Sequence, residues 1–186
     1  MKKSLVVFFA VVLLLAGWIF GSYNGVVTAN ENVNGKWSQV ETQLQRRRDL
    51  IPNLVNTVKG YASHEENTLT EVVNARAKAT QMQLNIDQLD EAALKKLSNI
   101  QGELSSALSR LMAISENYPD LKANQNFLDL QAQLEGTENR IAVERRKFND
   151  VARSYNAFIL QFPRNLVAGM FGFTSKPYFE ANAGAD

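Results

Sequence analysis

Residues 127–162 read FLDLQAQLEGTENRIAVERRKFNDVARSYNAFILQF, and the spacing of their apolar side chains indicates how the chain folds. Apolar residues recur at about every third or fourth position, as on one face of an α-helix. They are Phe127, Leu130, Leu134, Ile141, Phe148, Ala152, Tyr155, Phe158 and Phe162. The spacing predicts a helix of about 36 residues, or some 54 Å at 1.5 Å per residue.

Three further stripes with this period precede it. The first is Val33, Trp37, Val40, Leu44, Ile51, Leu54, Val58 and Tyr61; the second is Leu69, Val72, Val73, Ala79 and Met82; the third is Leu89, Ala93, Leu97, Ile100, Leu104, Leu108 and Leu111. Because no stretch alternates as a β-strand would, we expect an all-α chain. Four consecutive helices with short connections predict an antiparallel, up-down-up-down bundle.

Turn signals fall between these stripes. Pro119 follows the third stripe and Pro163 closes the fourth, while residues 85–87 offer an N-terminal cap before the third helix. Pro52 lies inside the first stripe. Because it has no N–H to donate to the carbonyl of Arg48, it predicts a kink or a break in the first helix.

The N-terminal apolar run predicts a single membrane span. Residues 5–20 carry no charge, and residues 21–23 extend the run to about 19 residues, near the ~20 that a helix needs to cross a bilayer. Lys2 and Lys3 precede the run, and no Lys or Arg follows until Lys36. The positive-inside rule therefore places the N-terminus in the cytoplasm and the rest of the chain outside it.

These features divide the chain into three parts. They are a cytoplasmic stub with a transmembrane anchor (residues 1–23), an extracytoplasmic helical bundle (24–163) and an apolar C-terminal tail (164–186). The alternative to an uncleaved anchor is a signal peptide, since residues 27–29 (VTA) loosely resemble a cleavage site. Gly25 and Gly35 weaken the connection, so the sequence leaves open whether the first helix runs unbroken out of the membrane.

The tail is rich in aromatic residues. In an antiparallel bundle the fourth helix returns toward the membrane, so the tail begins near the bilayer surface. Its candidate docking residues are Phe171, Phe173, Tyr178 and Phe179. Two alternatives stay open: the tail folds onto the membrane-proximal end of the bundle, or it contacts lipid headgroups or a membrane partner.

Polar side chains lie on or beside the apolar stripes at several positions. We assign Arg47, Asp49, Arg76, Glu138, Arg145 and Asn149 to a structural polar network. A buried charge must be paired, so we expect Arg47, Glu138 and Arg145 to form an interhelical network that fixes helix register. For the neighbouring cations we favour a solvated face with snorkelling stems. These cations are Arg46, Arg48, Arg146 and Lys147.

The composition excludes several kinds of chemistry. The chain has no Cys, one His and a net charge of +1. Disulfides, thiol nucleophiles and His-rich metal sites are therefore ruled out, and a nucleic-acid partner is disfavoured. Residues 64–66 (HEE) are the nearest approach to a catalytic cluster, and we favour a helix-capping role for them. We expect no catalytic, cofactor or metal site.

The chain resembles the LemA family. The resemblance rests on QRRRDLIPNLV at 45–55, VKGYA at 58–62, HE at 64–65, ARA at 75–77, ENYPDLKAN at 116–124 with Phe127, LEGTENRI at 134–141, FND at 148–150, YN at 155–156, FP at 162–163 and FGF at 171–173. Phe148 departs from the Tyr that the family commonly has. The resemblance implies a bacterial cytoplasmic-membrane protein with one N-terminal span, an extracytoplasmic domain of antiparallel helices and no established enzymatic activity.

The resulting hypothesis is a non-enzymatic, membrane-anchored scaffold or adaptor that self-associates and organises the cell envelope or recruits membrane proteins. Gly17 and Gly21 have the GxxxG spacing of close helix packing. The alternative is an extracytoplasmic sensor or ligand-binding domain that acts through a partner protein. A sensor normally has a second span or a cytoplasmic signalling domain, whereas here about three residues precede the span.

Overall fold

The computed structural model describes residues 2–82, 84, 86 and 89–180, and within them the chain is helical with no strand. The helices are α1 (Lys2–Tyr61), α2 (Glu66–Gln81), α3 (Glu91–Ser115), α4 (Pro119–Lys122), α5 (Gln125–Leu160) and α6 (Arg164–Met170). The prediction of an all-α chain with a long apolar N-terminal helix and a bundle-like domain is confirmed. Helices α4 and α6 are short additions to the four predicted from the stripes.

Helix α1 is one unbroken element of 60 residues. At 1.5 Å per residue it is about 90 Å long. Its apolar N-terminal part is exposed, as the values of 71% for Leu13 and 74% for Leu14 show. Buried positions begin at Ser22 and Val26. The boundary predicted at residue 23 therefore falls inside a continuous helix, the one described element long and apolar enough to cross a membrane.

Helix α5 packs along α1 in the antiparallel direction. The ring of Phe158 lies 3.3 Å from the point where a Cβ on Gly25 would stand, and Trp37 contacts Phe148 with ring centroids 5.6 Å apart. Farther along, Arg47 pairs with Glu138. Residue numbers rise on α1 as they fall on α5, and a Cβ at residue 25 would require the Phe158 ring to shift by a few tenths of an ångström.

The core forms two clusters along the length of α1. The membrane-proximal cluster contains Val26, Val33, Trp37 and Val40 of α1 together with residues of α3 and α5. The distal cluster is built from later residues of α1 with α2, α3, α4 and the start of α5. Helix α2 is too short to reach the proximal cluster, which is covered instead by the α2–α3 connection and the tail. The Trp37 indole N–H donates to the Leu84 carbonyl at 3.1 Å and fixes that connection.

Side chains cap the N-terminal ends of α3 and α5. Asp90 caps α3 by accepting from Ala93 N–H at 2.6 Å, and Asn124 caps α5 by accepting from Phe127 N–H at 3.0 Å. Of the cap predicted at residues 85–87, Asn85 and Asp87 lie outside the described residues. No side chain caps α2, which begins at Glu66, so the capping role favoured for residues 64–66 is wrong.

The three prolines predicted to kink or end helices have different positions. Pro119 is the first residue of α4, and Pro163 stands between α5 and α6. Pro52 lies inside α1, where the helix continues without a break. The break that Pro52 predicts is therefore absent, and the reason lies in a contact from α2.

Candidate functional site

An arginine network, defined here as Arg47, Gln101, Ser105 and Glu138, joins three helices between the two core clusters. Arg47 on α1 is 1% exposed. Its guanidinium donates to the Glu138 carboxylate on α5 and to the Gln101 side chain and the Ser105 hydroxyl on α3, the last at 2.9 Å. Asp49 takes no part in this network; it is exposed and accepts from a side chain one turn earlier on α1.

Arg145 lies beside the network and contacts the tail. Its guanidinium carbon is 4.6 Å from the ring centroid of Phe179, a cation–π distance. Burial lowers the pKa of Arg145, and the charge of Arg47 lowers it further, whereas Glu138 opposes the shift. Arg145 therefore places a second guanidinium group beside the single carboxylate of the arginine network.

A second arrangement, the α1–α2 arginine pair, consists of Arg48 and Arg76. The Arg76 Nε–H donates to the Arg48 carbonyl at 2.9 Å, and the Arg48 guanidinium donates to the Ala79 carbonyl at 3.0 Å. The first bond supplies the donor that Pro52 lacks. The second satisfies a carbonyl in the last turn of α2, where cations are favoured. Arg48 is 8% exposed, so the solvated position predicted for it is wrong.

The α1–α2 arginine pair predicts that the effect of a substitution at Arg76 depends on whether residue 52 is proline. Arg76→Met leaves the Arg48 carbonyl without its donor and is expected to cost about 1–2 kcal/mol of unfolding free energy. Pro52→Ala restores a backbone N–H in the helix, so Arg76→Met should cost much less in that background. Urea unfolding of the four chains in detergent measures the coupling.

The control for this cycle is Lys78→Met, on the same helix as Arg76, which removes an exposed ion pair with Glu103 of α3. Its expected cost is below about 1 kcal/mol in both backgrounds. An equal loss for Arg76→Met with and without Pro52 would contradict the carbonyl assignment.

The tail segment, residues 171–180, turns back from the end of α5 and runs along it. Asn156 donates to the Lys176 carbonyl at 2.9 Å and accepts from Lys176 N–H at 2.8 Å. Asn149 pairs in the same way with Phe179, with both bonds at 2.9 Å. Seven helical residues rise about 10 Å, and three extended residues span about the same distance. The two asparagines therefore hold an extended segment against α5.

Phe179 anchors the tail segment in the proximal core. It is 5% exposed. Its ring stacks on Trp37 with centroids 6.1 Å apart and meets Phe148 edge-on at 5.6 Å. With Arg145 over the ring, Phe179 is enclosed by α1 and α5. The tail thus fills a position that the short α2 leaves uncovered.

The other three predicted docking residues have different surroundings. Phe171 and Phe173 lie 4.7 and 5.9 Å from the Tyr23 ring of α1, measured between ring centroids. Tyr178 is half-exposed, and its hydroxyl accepts a hydrogen bond from Asn156 at 2.7 Å. Of the two alternatives for the tail, the structure shows contact with the bundle for residues 171–180.

The contacts described so far join helices to one another and the tail segment to α5. Among the described residues, no group of three or more His, Asp or Glu side chains is placed to hold a metal ion. The Glu65 carboxylate accepts from the Tyr118 hydroxyl at 3.1 Å, so this part of the 64–66 cluster ties the start of α2 to the α3–α4 turn. Arg47 is directed at protein atoms. The contacts described here are therefore ones that fix helix positions.

Some of the residues that make these contacts are not among those predicted from the sequence. Gln101 stands four residues after Leu97 and three before Leu104, so it occupies a position on the third stripe and could have been recognised. Asn156 lies seven residues after Asn149 on the same face of α5, a second available signal. Ser105 carries no such signal.

Comparison with known proteins supports the resemblance. The LemA family model matches residues 36–186. The chain is 31% identical to magnetosome protein MamQ 2 of Paramagnetospirillum magneticum over 98% of this chain and 71% of that protein. It is 30% identical to magnetosome protein MamQ of Magnetospirillum gryphiswaldense over 88% of this chain and 66% of the relative. It is 24% identical to protein LemA of Metamycoplasma hominis over 97% of this chain and 80% of the relative.

The family match covers the bundle from residue 36 onward and the tail, including the arginine network, the α1–α2 arginine pair and both asparagines. The alignments with the relatives reach into the N-terminal apolar helix, since they take in up to 98% of the chain. This protein belongs to the LemA family.

Proposed function

We propose that this protein is a membrane-anchored helical scaffold or adaptor that self-associates and recruits membrane proteins or organises the cell envelope. Its N-terminus lies in the cytoplasm and its bundle lies outside the bacterial inner membrane. The continuity of α1 carries the proposal, because one helix of 60 residues contains both the apolar segment and the central helix of the bundle.

A continuous helix has a mechanical consequence. The bundle cannot rotate freely about a linker, since α1 passes from the exposed apolar segment to buried positions at Ser22 and Val26 without interruption. Any lateral contact made by the span is therefore transmitted to the bundle in a fixed orientation. This suits a scaffold, in which the surfaces of neighbouring copies must be aligned.

Two further observations support the membrane role. Lys2 and Lys3 precede the apolar run, as expected for a cytoplasmic N-terminus. The MamQ relatives are named as magnetosome proteins, which supports work at a membrane for this chain as well.

Self-association through the span predicts an effect of Gly17→Leu. No heavy atom beyond the neighbouring backbone lies within 4 Å of a Cβ built on Gly17 or Gly21, so the monomer has room for a larger side chain. Helices that pack through small residues lose that close approach when the glycine is replaced. Crosslinking in native membranes is expected to show loss of most of the dimer.

The matched control is Val12→Leu, since residue 12 lies on the helix face opposite Gly17 and Gly21. Crosslinked dimer should persist in this variant. A wild-type chain that gives only monomer, or a dimer unaffected by Gly17→Leu, would contradict association through this face.

The sensor alternative is favoured by one observation. A groove of about 880 Å³ lies between α3 and α5, with Arg47, Gln101 and Arg145 among its lining residues. Native mass spectrometry of the chain purified from gently solubilised membranes separates the two functions. A stoichiometric membrane protein or an assembly of copies supports the scaffold or adaptor, whereas a retained small molecule supports the sensor.

A further inference from the structure

A cluster of exposed apolar side chains lies at the base of the bundle. This apolar collar consists of Leu160, Phe162, Leu166, Met170 and Phe171, from the end of α5, α6 and the turn after it. Phe162 is 80% exposed and Met170 is 73% exposed. On α6 the opposite side, with Val167 and Ala168, is buried. Helix α6 therefore has one apolar side against the bundle and a second apolar side left uncovered.

The rest of the bundle has no comparable surface among the described residues. Its exposed large apolar side chains are Tyr61, Val73, Leu128, Val143 and Tyr178, each exposed by less than 50%. They are scattered over different helices, as single apolar residues on protein surfaces commonly are. A contiguous exposed apolar patch, by contrast, marks a contact with another molecule or with lipid.

Contacts with α1 fix the level of the collar along the span. Phe162 and Arg164 share a cavity wall with Trp18 and Gly21. At the other end of α6, the Phe171 ring lies against Tyr23, with ring centroids 4.7 Å apart. Both ends of α6 thus meet α1 between residues 18 and 23, which are separated by about 7.5 Å of helix rise. The collar is level with the end of the apolar run.

The length of the apolar run shows why this level matters. Residues 5–20 rise about 24 Å, whereas the hydrocarbon core of a bilayer is about 30 Å thick. A core that begins at residue 5 ends near residue 25, beyond the level of the collar. The collar therefore supplies apolar surface where α1 itself has become polar, at Ser22 and Asn24.

Arg164 fits the same position. Its guanidinium carbon is 4.1 Å from the ring centroid of Phe158, and its Nη1 donates to the Gln161 side chain at 2.9 Å. It is the first residue of α6, and cations beside an apolar face are typical of helices that lie at a lipid surface. Because Phe158 packs against Gly25, the guanidinium stands near the outer end of the hydrocarbon core, from where it can reach lipid phosphates.

We propose that the apolar collar is a second membrane contact, in which α6 and the end of α5 lie in the lipid interface beside the span. The proposal rests on the proposed anchoring role of α1. It makes the base of the bundle a lipid-binding surface and holds the bundle at a fixed tilt on the membrane. The occupant is lipid because the collar continues the exposed apolar surface of the span at the same depth.

Collisional accessibility of spin labels tests this in the full chain. The chain has no Cys, so single substitutions can each carry one nitroxide in a bilayer of phosphatidylcholine and phosphatidylglycerol. The positions are Phe162→Cys and Met170→Cys in the collar, Leu14→Cys in the span and Leu128→Cys as a distal exposed control on α5. Oxygen partitions into lipid, whereas a nickel chelate stays in water.

The expected ratio of oxygen to nickel accessibility at both collar positions is several-fold higher than at Leu128 and approaches that at Leu14. A collar ratio equal to the Leu128 value, with a lipid-like value at Leu14, would overturn the collar while leaving the anchor intact. Low accessibility to both reagents would mean that protein covers the collar, which also overturns it. A water-like value at Leu14 would overturn the anchor itself.

Discussion

Replacing Glu138 with alanine is expected to lower the free energy of unfolding by about 3 kcal/mol, the cost of leaving a buried charge without its partner. Arg47 is 1% exposed and cannot regain water when the carboxylate is lost. Glu138, with 41% of its side chain exposed, can be hydrated when Arg47 is lost. The two single substitutions should therefore be unequal.

Arg47→Met tests that asymmetry. It removes the buried charge and keeps most of the volume, so its expected cost is about 1–2 kcal/mol, chiefly from the lost hydrogen bonds to Gln101 and Ser105. The double variant Arg47→Met with Glu138→Ala should be more stable than Glu138→Ala alone. Glu135→Ala, an exposed glutamate on the same helix, is the control.

The measurement is urea unfolding of all five chains, wild type included, in detergent micelles. A Glu138→Ala variant as stable as Glu135→Ala would contradict a buried ion pair between α1 and α5. So would a double variant less stable than either single variant. Either result would place the charges on a solvated face.

The second large effect concerns Phe179→Ala. Truncating a buried phenylalanine costs about 3–5 kcal/mol in a core that cannot collapse. Here the tail segment can detach from α5. The loss of unfolding free energy is therefore no larger than the free energy that holds the segment on α5. We expect hydrogen exchange to become fast at the amides of Lys176 and Phe179, both of which donate to asparagine side chains.

Phe162→Ala provides the control for Phe179→Ala, because Phe162 is 80% exposed and makes little contact with the core. In detergent micelles it should leave tail exchange unchanged. Slow exchange at both tail amides in Phe179→Ala would show that the asparagine bonds alone hold the segment, against the anchoring role assigned to Phe179.

The fold was predictable because the buried face of each helix is visible in the spacing of its own apolar residues. The stripes at 33–61, 69–82, 89–111 and 127–162 correspond to the distal part of α1 and to α2, α3 and α5. A period of 3.6 residues is a local property, so it can be read without knowing the partner helix. The same holds for Arg47, whose position on an apolar stripe is visible in the sequence.

The continuity of α1 could not be predicted, since local signals oppose it. Pro52 removes a backbone donor and Gly25 and Gly35 disfavour helix. The compensation comes from elsewhere: Arg76 of α2 supplies the donor, and the Phe158 ring of α5 packs closely against Gly25. Contacts between residues far apart in the sequence therefore determine whether α1 continues as one helix.

The path of the tail could not be predicted from the sequence either. Residues 171–180 have no helical or strand period. The backbone of Lys176 and Phe179 is hydrogen-bonded by the side chains of Asn156 and Asn149. The sequence identified the aromatic residues of the tail and left open what they contact. It gave no indication that Phe179 would reach Trp37.

The distance between nitroxides at residues 14 and 32 tests the central claim, that one unbroken helix joins the span to the bundle. These residues are eighteen apart and share one helix face, so the rise predicts about 27 Å with a narrow distribution. Leu14→Cys with Asn32→Cys, diluted in unlabelled chain, would be measured by pulsed electron resonance in bilayers. A continuous helix predicts that single narrow peak; a broad or much shorter distribution, or no coupling because the chain is cut near residue 29, would contradict it.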